Sequence, residues 1–74
     1  MDVLERARQD TGLSIGELWL RYFAVGGMNL PLEMEAILYE ALIGSPAERD
    51  LLAVALNDRF AELGGDHPVA YSDD

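Results

Sequence analysis

His67 is the only histidine in the chain and Asp66 precedes it, a pairing that can orient an imidazole as a general base. General-base chemistry also needs a nucleophile beside the imidazole, and the segment around it, bounded by Gly65 and Pro68, supplies none. His67 therefore reads as a loop residue that follows a helix end. With no cysteine, thiolate nucleophiles, disulfides, zinc fingers and iron–sulfur ligation are all excluded, and the composition suits a reducing compartment. The 14 acidic residues are spread over the chain without the Asp-rich alternation of a calcium loop. Trp19, Tyr22, Phe23 and Tyr39 recur at helical spacing, which fits a core or an interface better than a cofactor box. The reading is of a protein that is not an enzyme, with no catalytic, cofactor-binding or metal-binding residues.

Four stretches rich in Leu, Ala, Glu and Arg lie between the breakers Thr11-Gly12, Gly26-Gly27, Gly44-Ser45-Pro46 and Gly64-Gly65. A short first helix is expected over 3–10, with Asp2/Arg6 and Arg6/Asp10 as ion pairs at four-residue spacing. Ser14-Ile15-Gly16-Glu17 has the spacing of a capping box, so a second helix starts at Ile15 and runs to about Val25. Pro31 suits a first helical turn, which predicts a third helix over 31–43 with Gly44 as the left-handed residue after it. Ser45-Pro46-Ala47-Glu48 combines an N-cap Ser with Pro at the first helical position and starts a fourth helix that reaches Leu63. Residues 66–74 lack a helical period and form an extended acidic tail, whose Val69 and Tyr71 can dock on the bundle. The expected fold is all-α: one helical domain over 1–65, an orthogonal bundle of three main helices and a short N-terminal one, with the tail beyond it.

At 100° per residue, Ile15, Leu18, Trp19 and Tyr22 share one stripe of the second helix, while Leu20 and Phe23 lie on another. The third helix repeats this, with Met34, Ile37, Leu38 and Ala41 on one face and Leu32, Ala36, Tyr39 and Ile43 on another. On the fourth, Leu52, Leu56, Phe60 and Leu63 align, with Asp50, Asn57, Asp58 and Glu62 outward. This is more apolar face than one small core takes up, and the surplus predicts a homodimer or a standing partner. The candidate partner-binding residues are Leu20, Phe23, Glu33, Met34, Ile37 and Glu40.

A formal net charge of −9, from 14 acidic against five basic residues, repels phosphate backbones and anionic lipid, and steers the protein toward a basic protein surface. Direct nucleic-acid binding is disfavoured. No run approaches the roughly 18 apolar residues of a membrane span, and the opening Met1-Asp2-Val3-Leu4-Glu5 is not a signal peptide, so the cytoplasm is the expected compartment. The function expected is that of a small acidic interaction module, a regulatory or adaptor subunit acting on a protein partner; a transcription regulator is one such partner.

The run from Ala7-Arg8 through Thr11-Gly12-Leu13-Ser14-Ile15-Gly16-Glu17-Leu18 resembles the opening of helix-turn-helix regulators. That resemblance implies a DNA-reading helix over 31–43, and it supplies the alternative function of a divergent DNA-binding regulator. The sequence departs from the pattern there, since the helix carries Glu33, Glu35 and Glu40 and none of the Arg, Asn or Gln side chains that pair with base edges. Small size, acidity and four helices are also similar to acyl carrier proteins, which makes Ser14-Ile15 the implied phosphopantetheine attachment site. Leu13 stands where that family usually has Asp or His, and the preceding helix is shorter than the family's.

Overall fold

The computed structural model describes residues 2–65 and 69–71. It contains four helices and, among the described residues, no strand: α1 (Val3–Thr11), α2 (Ile15–Ala24), α3 (Pro31–Leu38) and α4 (Pro46–Glu62). The radius of gyration, 10.9 Å, is that of a compact folded chain of this length.

Each helix start is fixed by local chemistry. The Asp2 carboxylate accepts from the Leu4 amide at 2.8 Å and caps α1. Ser14 and Glu17 form the reciprocal capping box of α2, with Oγ accepting from the Glu17 amide at 3.1 Å and the Glu17 carboxylate accepting from the Ser14 amide at 2.9 Å. Ser45 caps α4 by accepting from the Glu48 amide at 3.1 Å, with Pro46 in the first helical position. α3 has half of such a box: Glu33 accepts from the Leu30 amide at 2.8 Å, but Leu30 has no side-chain acceptor to return the bond.

α2, α3 and α4 end alike, with an amide two residues past the C-cap reaching back to a carbonyl in the last turn. The bonds run from Gly27 to Tyr22 at 2.9 Å, from Ala41 to Ala36 at 2.8 Å and from Gly65 to Phe60 at 2.9 Å. This Schellman geometry puts the preceding residue in the left-handed region, at Gly26 (φ 103°), Gly64 (φ 86°) and, after α3, Glu40 (φ 63°). The expected helix over 31–43 is therefore corrected to Pro31–Leu38, and Glu40, not Gly44, is the left-handed residue that stops it. Gly44 has a different task. A Cβ there would sit 3.1 Å from two carbons of Ile37 and 3.3 Å from Arg49 Cγ, so any larger residue would make those side chains give by a few tenths of an ångström where the chain passes them on its way to α4.

The core is built from Leu4 and Ala7 of α1, Leu18 and Tyr22 of α2, Met34, Ile37 and Leu38 of α3, and Leu52, Ala53, Ala55 and Leu56 of α4, together with Leu13 and Val69. α4 packs against both α1 and α2, and α3 packs on α2. Ion pairs tie elements together, Arg49 to Asp2 at 2.9 Å and Arg21 to Glu62 through two bonds of 2.7 and 2.8 Å, while Arg8 pairs with Glu5 within α1 at 2.5 and 2.6 Å. Asp2 thus pairs with Arg49 across the bundle and not with Arg6 along α1, because its carboxylate is turned back as the N-cap. Among the described residues Arg6 makes no ion pair with Asp10 either.

Two expectations for α4 are overturned. Asn57 is fully buried, because Val69 brings a backbone to it: Val69 N–H donates to Oδ1 at 3.1 Å and Nδ2 donates to the Val69 carbonyl at 3.0 Å. Leu63, at the C-cap, is half-exposed despite its angular alignment with Leu52 and Leu56. The docking expected of Val69 and Tyr71 is seen, with Val69 buried and Tyr71 packed against the core. Asp66 and His67 lie outside the described residues.

Candidate functional site

The six residues singled out for partner binding separate into two groups. Leu20, Phe23, Glu33 and Glu40 are exposed. Met34 and Ile37 are 0 and 1% exposed, so these two are corrected to core residues. The physical reason is that α3 has one inward face, filled by Met34, Ile37 and Leu38 against α2 and its surroundings, and it leaves the opposite side in water.

Besides Val3 of α1 and Leu63 at the end of α4, exposed apolar side chains gather in two areas. The first is the outer side of α2 and the loop that follows it. Trp19 and Phe23 stack with ring centroids 5.1 Å apart, and Trp19 Nε1 donates to the Asn29 carbonyl at 3.0 Å. That bond holds the loop against α2, so Met28 and Leu30, which flank Asn29, extend the exposed area begun by Leu20 and Phe23.

Tyr22 anchors the same loop from below. Its fully buried hydroxyl donates to Glu48 on α4 and accepts from the amides of Met28 at 3.0 Å and Asn29 at 2.8 Å. Burial and the bond to the Glu48 carboxylate raise the Tyr22 pKa above its ordinary value, so the phenol keeps its proton. Gly27 is required where the chain crosses this ring, since a Cβ there would lie 2.3 Å from the ring carbons.

The second area is the turn after α3. Tyr39, Leu42 and Ile43 are exposed, and Ile43 is 95% accessible. Glu40 stands among them in its left-handed conformation. Beside the turn lies a cavity of about 320 Å³ lined by Asp2, Glu5, Gln9, Leu38, Tyr39 and Glu40. Glu5, buried in its wall, is held below the ordinary carboxylate range by the Arg8 guanidinium, which outweighs the opposing effect of burial. Burial would raise Asp2, yet its bonds from Arg49 and the Leu4 amide together hold it below its usual value. The chain carries no Lys or Arg between Arg21 and Arg49, while Glu33, Glu35, Glu40 and Glu48 fall in that stretch.

Sequence reasoning missed the turn because it continued α3 through it. Without a glycine at position 40, nothing in the residue types marks the end of the helix. Missed too was Asn57, whose polarity suggested an outward position. The exposed and buried sides of α2, by contrast, follow the angular count: Leu18 and Tyr22 are buried, Leu20 and Phe23 exposed.

Among the described residues no group of His, Cys, Asp and Glu is arranged to hold a metal ion, and no helix is long and apolar enough to cross a membrane. A search of protein-family models, of curated proteins and of solved structures finds no significant match to this chain.

Proposed function

We propose that the protein is a protein–protein interaction module, a regulatory or adaptor subunit that docks on a partner with a basic surface, of the kind nucleic-acid-binding proteins present. The observation that carries this reading is the turn after α3. It holds Tyr39, Leu42 and Ile43 in water around a non-glycine residue in left-handed backbone, and its cavity is walled by carboxylates. Asp2 and Glu5 are paired with Arg49 and Arg8, which leaves Glu40 as the exposed carboxylate beside these apolar side chains; in such a docking surface the apolar centre supplies affinity and the charge selects the sign of the partner. Strained backbone of this sort concentrates at functional positions. Binding to DNA itself fits poorly, since Arg8, Arg21, Arg49 and Arg59 are engaged with the chain's own carboxylates.

The test is affinity purification from native cells, with wild type, Ile43→Glu and Glu40→Lys as baits and the bound proteins quantified by mass spectrometry. A basic protein retained by wild type and lost with both variants is the expected result, with retention falling as salt rises. Equal recovery by all three baits would refute the turn as the docking surface.

A further inference from the structure

The outer side of α2 differs in kind from the acidic turn. Residues 18–32 contain no carboxylate, although the whole chain carries 14, and the one charged side chain in that stretch, Arg21, is paired with Glu62 of α4. Within it Leu20, Phe23, Met28 and Leu30 are exposed, Met28 by 83%. Gly16 lies at the edge of this area. It is the one glycine inside a helix, its φ is not in the left-handed region, and a Cβ built on it meets nothing within 4 Å, so no contact within the chain requires it to be glycine. Gly16, Leu20 and Ala24 recur at four-residue spacing along one exposed ridge, small, large, small. Reversing that ridge about Leu20 maps it onto itself.

We infer that this side of α2 seats a second copy of the chain, in a two-fold contact between antiparallel α2 helices centred on Leu20. Charge selects this occupant. Two bodies of net charge −9 repel wherever unpaired carboxylates meet; α2 has one carboxylate of its own, Glu17, which with Glu62 lies near Arg21 and Arg59, so each copy brings little net charge to this side. A basic partner is drawn to carboxylates and gains nothing here, whereas a neutral apolar face is complementary to a neutral apolar face. A two-fold contact requires one patch to be complementary to itself, and the small residues at both ends of the ridge let the two backbones approach while the Leu20 and Phe23 side chains interdigitate. The inference rests on α2 and is independent of the docking turn.

Sedimentation equilibrium from about micromolar to about millimolar protein, at low and high salt, tests it with wild type, Phe23→Glu, Gly16→Leu and Ile43→Glu. Wild type is expected to dimerise, and more tightly at high salt because screening relieves the repulsion between like-charged copies. Phe23→Glu should weaken association by at least about tenfold, as loss of a central apolar contact does. Gly16→Leu should do the same while its thermal midpoint holds or rises, since Leu is the better helix former and has open space; this separates a blocked interface from a damaged fold. Ile43→Glu should dimerise like wild type. A wild type that stays monomeric throughout, a dimer that high salt dissociates, or one that Phe23→Glu leaves intact would overturn the inference. None of these results bears on the acidic turn, which is judged by partner capture.

Discussion

Glu40 is the residue at which local preference and tertiary structure disagree most. An L-residue in left-handed backbone costs about 1–2 kcal/mol, and at the two equivalent positions after α2 and α4 the chain uses glycine. Glu40→Gly should therefore raise stability by about 1 kcal/mol, read as a higher urea midpoint with an unchanged slope. An unchanged midpoint would mean that the Glu40 side chain compensates for its backbone. The same substitution removes a carboxylate from the docking turn, so stability and partner binding should move in opposite directions. Neither Glu40 nor Asn57 was legible from residue type. A Glu at a helix end usually signals continuation, and an Asn among charged neighbours points outward until a distant segment supplies a peptide group to satisfy it. In Asn57 that group is Val69, twelve residues on.

At the scale of the helix, starts were far more legible than ends. Caps depend on residues within three positions of one another, so Ser14 with Glu17 and Ser45 with Pro46 could be read directly, and both caps form. A helix end without glycine depends on what the following chain must do, here the passage from α3 to α4 through Gly44. Which side of α2 faces the core followed from periodicity. For α3 the periodicity gives two apolar faces without saying which is covered, and the structure buries the one that carries Met34 and Ile37. The caps make a paired prediction. Ser45→Ala should lower stability by about 1 kcal/mol, whereas Leu30→Ser, which completes the half-formed box with Glu33, should raise it by a similar amount. Urea titration of the two variants beside wild type checks both signs. A loss in each would show that Leu30 contributes more as an apolar side chain than a hydroxyl contributes as a cap.

For the whole molecule the internal ion pairs make stability depend on pH. Glu62, held by Arg21 and Arg59, has its pKa lowered to about 2, and Asp2 and Glu5 are lowered as well. A carboxylate that binds its proton less readily folded than unfolded stabilises the fold above its unfolded pKa, and that contribution is lost as pH falls toward the folded value. Stability should therefore decline as pH is taken from the ordinary carboxylate range, about 4, toward 2. Glu62→Gln should flatten part of that decline. A urea midpoint that stays level across this window would contradict the role given to the three pairs.

The fold class and the acidity of the molecule were plain from composition and breakers. The division of its surface was not, because it depends on where α3 stops. That division is the central claim: an acidic apolar turn for a basic partner, set apart from the neutral side of α2. The most direct measurement is the amide chemical-shift change of the isotope-labelled protein on titration with the partner recovered by affinity purification. The largest changes should fall in residues 38–44 and around the adjoining cavity at Asp2 and Glu5, and they should shrink as salt rises. Changes concentrated on residues 16–30, or spread along α4, would contradict the claim.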